Sequence, residues 1–256
     1  MVKLSKRLAR IADKVPRDSR LADIGTDHAL LPVALVEEGK IRYAVAGEIN
    51  PGPLQAAEKQ VREAGLSDNI RVRRGDGLAV LSPGEADVIV LAGMGGSLIA
   101  EILNAGFPKL SGVKRLILQP NIGGEWVRRW LADHQWALTE EDIVEEDGKI
   151  YEIMVADRME EAAAYNRRLY RDRLLCGSVA AKRDILLLMG PHLIERPTEI
   201  WFRKWQGELA KMSMIIDQIS LSGSEAAARK RAEMKHQANM IREVLECLRK
   251  GKPSFN

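Results

Sequence analysis

Cysteine is the scarcest residue in this chain: Cys176 and Cys247 stand far apart, without a CxxC or a His/Cys cluster around either. Neither a disulfide framework nor a zinc site is suggested, and two ordinary buried thiols are expected. Long apolar runs are also missing. No stretch approaches the roughly 20 apolar residues needed to span a bilayer, and the segment 1–15 has no apolar stretch of signal-peptide type, so a soluble cytoplasmic protein is expected. A GxGxxG string is absent as well; the first glycine turn reads Gly25-Thr26-Asp27-His28, which counts against a dinucleotide fold.

What is present suffices for a full core. Hydrophobic residues make up 46% of the 256, enough for one complete domain and a smaller appended unit. The net charge is only +3 but unevenly spread: residues 1–156 hold 20 Lys+Arg against 23 Asp+Glu, and residues 157–256 hold 19 against 13. A basic extension on an acidic body suits a partner with a phosphate backbone. A solvated helical surface would give the same totals.

Leu4, Leu8, Ile11 and Val15 recur at helical spacing until Pro16 ends the pattern, which predicts a short amphipathic helix. Its Lys3, Lys6, Arg7 and Arg10 could add phosphate contacts. Strand-like runs follow at 20–24, 43–47, 70–73, 87–92 and 115–119, separated by helix-like segments near 29–38, 51–65, 95–105 and 124–134. This alternation predicts a mostly parallel sheet covered on both faces, the doubly wound α/β class. Two more strands, 136–144 and 149–156, should form a hairpin turning at Asp147-Gly148. Beyond Asp157 the strand signal stops, which predicts domains of 1–157 and 158–256, the second helical and interrupted once at Met189-Gly190-Pro191. Trp201, Trp205, Leu209, Met212, Ile216 and Ile219 are spaced by threes and fours, as are Met234, Ala238, Ile241, Leu245 and Leu248. Joined through Ser222-Gly223-Ser224-Glu225, with Ser222 and Glu225 placed as a capping box, these stripes predict an antiparallel coiled-coil hairpin.

Doubly wound sheets bind ligands at the carboxyl ends of their strands, so site residues belong there. The first strand ends in Asp23-Ile24-Gly25-Thr26-Asp27-His28-Ala29. Gly25 permits close backbone approach, while carboxylates at 23 and 27 repel a diphosphate and favour a cofactor carrying an ammonium or sulfonium. S-adenosylmethionine has both. Glu48 closes the second strand beside Ile49, where an acid accepts from ribose hydroxyls. Asp76-Gly77 follows the third, where an acid can accept from an adenine amino group. Ala92-Gly93-Met94-Gly95-Gly96 ends the fourth. A tight turn explains one glycine there; three in four positions indicate backbone passing close to something flat, where methyl donor and acceptor would meet. Gln119-Pro120-Asn121 ends the fifth, its two amides serving either to read a base edge or to hold a loop. The cofactor set is therefore Asp23, Gly25, Glu48, Ile49, Asp76, Gly77, Gly93 and Gly95, with no metal ligands.

With Asp-Ile-Gly-Thr-Asp-His-Ala at 23–29, Gly-Glu-Ile-Asn-Pro-Gly-Pro at 47–53, Ala-Gly-Met-Gly-Gly at 92–96 and Leu-Gln-Pro-Asn at 118–121, the chain resembles the bacterial TrmK family of tRNA (adenine(22)-N1)-methyltransferases. The resemblance covers essentially the whole chain. It implies a Rossmann-like class I methyltransferase domain that uses S-adenosylmethionine, followed by a coiled-coil domain that helps hold tRNA. The chain departs from the broader class at Asp27 and Ala29, where many methyltransferases have glycine. It also lacks Asn-Pro-Pro-Tyr after the fourth strand, which argues against an exocyclic amine and is compatible with a ring nitrogen.

N1 of adenine already carries a lone pair, so positioning and desolvation can supply most of the acceleration once the base is turned out of its stack. Asp27, His28 and Asn121 are expected to grip the base and Met94 to form the floor, with His28 orienting rather than acting as a general base. The resemblance implies tRNA as the partner; a monomer without membrane attachment is expected. Rival readings are a nicotinamide-dependent oxidoreductase, a non-catalytic RNA-binding module on a degenerate methyltransferase fold, and a methyltransferase for DNA or protein. The residues alone leave the acceptor open.

Overall fold

The computed structural model describes residues 2–220 and 224–250. In chain order its first part contains α1 (Lys6–Lys14), β1 (Arg20–Ile24), α2 (Leu30–Glu37), β2 (Tyr43–Glu48), α3 (Pro51–Glu63), β3 (Ile70–Arg74), β4 (Val88–Gly95), α4 (Gly96–Ala105), β5 (Arg115–Ile122), α5 (Gly124–Asp133), β6 (Ala137–Glu146) and β7 (Lys149–Asp157). The sheet order is β3-β2-β1-β4-β5-β7-β6. The first five strands run parallel, while β7 is antiparallel to β5 and to β6. Val88–Leu91 of β4 and Leu116–Leu118 of β5 are buried, as unbroken apolar runs must be when helices cover both faces. The edge strand β3 alternates with exposed arginines instead.

The strands expected to end at 92 and 119 extend to Gly95 and Ile122. Their pairing survives the glycines because β4 is irregular there: Ala92 faces Gln119, Met94 faces Pro120 and Gly95 faces Ile122, with register shifts between. Such a bulge re-aims a strand end and is common beside active sites.

The basic face of α1 is turned toward the acidic β6–β7 hairpin. Lys6 bonds the Glu145 carbonyl at 3.0 Å, Arg10 lies 3.8 Å from Asp142, and Lys14 pairs with Glu140. Of the cations suggested for phosphate contacts, Lys6 bonds a backbone carbonyl, Arg7 bonds Gln119 at the sheet rim, and Arg10 stays half exposed beside Asp142.

The chain divides into two compact units, Met1–Asn166 and Arg167–Asn256, the division falling within α6 (Ala162–Leu169). The second unit contains β8 (Arg173–Leu175), β9 (Val179–Ala181), α7 (Arg183–Met189), α8 (Pro191–Glu195), α9 (Glu199–Ser220) and α10 (Glu225–Lys250). The β8–β9 hairpin corrects the purely helical expectation; strands of three residues are too short to show a period. Gly190-Pro191 separates α7 from α8, and the Trp201 indole donates to the Met189 carbonyl at 3.0 Å. Phe202 at the start of α9 lies under Arg249 at the end of α10, 5.1 Å from ring centre to guanidinium, so the two helices run antiparallel. Ala238, Ile241 and Leu245 of the expected stripe are buried, joined by Val244. Ser222 lies outside the described residues; the Ser224 hydroxyl accepts from the Ala227 amide at 3.2 Å and caps α10.

The cysteines correct a second expectation. Cys176, in the β8–β9 turn, and Cys247, on α10, form a disulfide with their Cα atoms 6.0 Å apart, although 71 residues separate them. Sequence spacing carries no information about pairs brought together by a hairpin docking on a distant helix.

Candidate active site

The carboxyl ends of the five parallel strands are joined into one rim. The Gly25 and Thr26 amides donate to the Gly47 carbonyl at 2.8 and 3.1 Å, and the Gly75 amide donates to the Glu48 carbonyl at 3.1 Å. Gly25 has φ +72°, and a Cβ there would collide with the end of the Met94 side chain, so β4 reaches across onto the β1 turn. The Asn121 amide donates to the Gly93 carbonyl at 2.8 Å, and the Gly93 amide donates to Gln119 Oε1 at 3.1 Å. Gln119 Oε1 also accepts from Arg7 Nη1 at 2.7 Å, and Gln119 Nε2 donates to Asn121 Oδ1 at 3.1 Å.

Gln119 is thus fully buried and committed to holding the Gly93 turn, which corrects the suggestion that both amides of this strand read a base. Asn121 is exposed and retains one amide hydrogen and one lone pair beyond these bonds.

Asp23 is buried with its carboxylate accepting from the Thr26 hydroxyl at 2.6 Å. Burial pushes its pKa up from 3.8 to about 6, with the Thr26 bond and the charge of Arg7 pulling the other way. A desolvated carboxylate of this kind gains from a cationic ligand more than an exposed one does. Glu48, also buried, accepts through Oε1 from the Asn50 amide and side chain at 2.7 and 2.9 Å, bonds that leave Oε2 to other donors. Ile49 beside it is 50% exposed, an apolar shelf for a flat ring. Asp76 is exposed at the end of β3, and Gly77 packs on Ile102 of α4. The set suits a ligand with a cationic end, a hydroxylated middle and an aromatic base.

Asp27 and His28 are exposed at the opening, Oδ1 to Nε2 at 3.3 Å. His28 and Ala29 both have left-handed backbone, φ +57° and +51°. Outside glycine, a residue in that region costs on the order of 1–2 kcal/mol. The two positive φ angles locate strain at the edge of the site.

The three glycines from the end of β4 into α4 have different reasons. Gly93 takes φ +79°, and a Cβ on Gly96 would collide with the Gly123 carbonyl. Gly95 has ordinary φ, −72°, and open space around it. Gly95 is the N-cap of α4, where glycine is well tolerated, and the space beside it leaves room for a ligand. Arg7, Thr26 and Gln119 join the site without having been expected there as a group; only Gln119 carried a signal, its place at a strand end.

A doubly wound sheet ordered β3-β2-β1-β4-β5-β7-β6, with β7 antiparallel and its ligand-type residues on the carboxyl rim, is the class I methyltransferase fold. The family model for TrmK, tRNA (adenine(22)-N(1))-methyltransferase, matches residues 21–243, and the chain belongs to that family. A Bacillus subtilis (strain 168) tRNA (adenine(22)-N(1))-methyltransferase is 43% identical over 246 residues, covering 96% of this chain and 98% of the relative. The crystal structure of the B. subtilis m1A22 tRNA methyltransferase TrmK matches with a TM-score of 0.84 at 42% identity, over 96% of this chain and 100% of that one. The Streptococcus pneumoniae putative tRNA (m1A22) methyltransferase in complex with S-adenosyl-L-methionine gives 0.76 at 37% identity, over 95% and 100%.

Proposed function

We propose that this chain transfers a methyl group from S-adenosylmethionine to N1 of adenine 22 in tRNA. The observation that carries the reading is the 43% identity to the B. subtilis enzyme, which runs over 96% of the chain and therefore includes the rim and the helical hairpin together. The residues fit the cofactor. Asp23 offers a buried carboxylate to its cationic end, Glu48 Oε2 suits ribose hydroxyls, Ile49 offers a face to the adenine, and Asp76 suits its amino group. Gly25, Gly77, Gly93 and Gly95 keep the backbone of the rim free of side chains. Bound there, the cofactor supplies a methyl group on a positively charged sulfur.

The work left to the chain is positioning. N1 attacks with its own lone pair, so no residue has to take a proton before the bond forms. As it forms, positive charge passes to the purine, which favours an acid at the opening; Asp27 is placed for that, with His28 orienting the base beside it. Asn121 keeps one donor and one acceptor for the base edge, and Met94, lying over Gly25, forms the floor between base and cofactor.

For the polynucleotide, Met1–Asn166 carries 21 Lys+Arg against 26 Asp+Glu and Arg167–Asn256 carries 18 against 10. The helical unit, basic by eight charges, is the part suited to tRNA phosphates. One chain supplies every strand end of the rim, which supports action as a monomer, and tRNA as substrate supports a cytoplasmic location. The test is to incubate the full chain with S-adenosylmethionine and unmodified tRNA and to map N1-methyladenine by mass spectrometry of nuclease fragments. The expected mark falls at nucleotide 22; absence of methylation there refutes the reading.

A further inference from the structure

Beside Gly95, two large apolar side chains stand in solvent: Ile122 is 76% exposed and Trp126 is 54% exposed. The chain's other four tryptophans, 130, 136, 201 and 205, are all at most 6% exposed. Exposed apolar residues are common singly, but here two stand four residues apart on either side of the Gly123 turn, which packs on Gly96. Ile122 pairs in register with Gly95. Trp126 sits on the first turn of α5, its amide donating to the Gly123 carbonyl at 3.1 Å. Its indole edge lies over Gly123, 3.1 Å from where a Cβ would stand. The Gly123 carbonyl in turn occupies the space that a side chain on Gly96 would need. The ring thereby lies beside the Gly95-Gly96 corner, where the space around Gly95 is open.

We infer that Ile122 and Trp126 form an apolar wall on which the target adenine lies once it has left the tRNA stack. This rests on the methyltransferase reading. Exposing N1 means unstacking the base at a cost of a few kcal/mol, and enzymes that act on bases recover this by stacking them against aromatic or apolar side chains. A purine matches the wall chemically: its face is flat and apolar, and its polar edge can reach the remaining hydrogen-bonding capacity of Asn121, next to Ile122 in sequence. A protein partner would want a broader patch, and a phosphate would find no charge on these two side chains.

Because Trp126 is the one exposed tryptophan, intrinsic fluorescence reports on it selectively. Wild-type protein should show tryptophan quenching with tRNA, and tRNA carrying an abasic site at nucleotide 22 should bind without that quenching. Trp126→Phe should keep methylating tRNA within about threefold while losing the quenching signal, since phenylalanine still stacks. Trp126→Ala should lower kcat/KM for tRNA by about 10- to 100-fold, the loss of one base–aromatic stack, with S-adenosylmethionine affinity by calorimetry unchanged. Equal quenching by abasic tRNA, or wild-type kcat/KM in Trp126→Ala, overturns the wall while leaving the methyltransferase reading intact. If the wild-type chain leaves adenine 22 unmethylated, both fall.

Discussion

At the scale of single residues, Asp23 carries the sharpest electrostatic consequence. Its folded pKa of about 6 exceeds the ordinary 3.8, so between those values the folded protein binds more protons than the unfolded chain. Its contribution to stability is therefore fully present below pH 3.8 and lost as pH rises through about 6. A cationic cofactor group selects the ionised form and reverses the preference. S-adenosylmethionine affinity should consequently weaken as pH falls through about 6, and Asp23→Asn should bind more weakly at pH near 8 while losing that pH dependence. The same variant, without cofactor, should gain thermal stability at the higher pH. Calorimetric titrations across pH check this, and an unaltered pH profile in Asp23→Asn would remove Asp23 as its source. Thr26 and Arg7 act on this same carboxylate from different elements: one sits three residues away, the other on α1.

At the scale of elements, the proposed transfer site depends on how the ends of β4 and β5 meet. The β4–α4 corner fits the β5–α5 corner only because Gly96 has no side chain to strike the Gly123 carbonyl. Gly96→Ala should therefore destabilise the fold by about 1–3 kcal/mol, the usual cost of overpacking, as measured by urea unfolding. Gly95→Ala meets no such obstacle and should cost at most about 1 kcal/mol, the loss of a favoured N-cap residue, yet it should lose methyl transfer because the added methyl intrudes on the reacting groups. Normal turnover in folded Gly95→Ala would show that no ligand approaches there. The buried cluster of Arg128 with Glu141 and Glu152, at 2.6 and 2.8 Å, lies behind the same corner and ties α5 to β6 and β7.

At the scale of the whole molecule, charge separates the two units: an excess of five acids in Met1–Asn166 and of eight bases in Arg167–Asn256. Among the α1 cations, Lys14 pairs with Glu140, Arg10 lies near Asp142 and Lys6 bonds a carbonyl of the β6–β7 hairpin, and the function proposed above draws its phosphate attraction mainly from the helical unit. Replacing the exposed Arg229, Lys230 and Lys235 by glutamine should weaken tRNA binding. It should also flatten the plot of log affinity against log salt by about 0.7–0.9 for each phosphate no longer neutralised. Cofactor affinity should not move. Filter binding across a salt series measures the slope, and an unchanged slope would show that these three side chains touch no phosphate.

Period and punctuation determined most of the fold. Apolar runs of five or so residues alternating with amphipathic segments fixed β1–β5 and their helices, and the Asp147-Gly148 turn fixed the last hairpin, because burial and turn chemistry are local properties. The strand-end rule proposed Asp23, Glu48, Asp76 and the 93–96 glycines as site residues, and the structure places them at or beside strand ends. Which segments distant in sequence touch each other was decided only by the tertiary structure. Arg7 meets Gln119 across 112 residues, Cys176 meets Cys247 across 71, and Met94 closes over Gly25. None of these pairs has a spacing that marks it, because spacing in sequence measures chain, while contact depends on how whole elements pack. Trp126 is the same case: the helical pattern places it on α5, but only the docking of that helix against Gly96 sets its ring in solvent beside the place where the methyl group would be handed over.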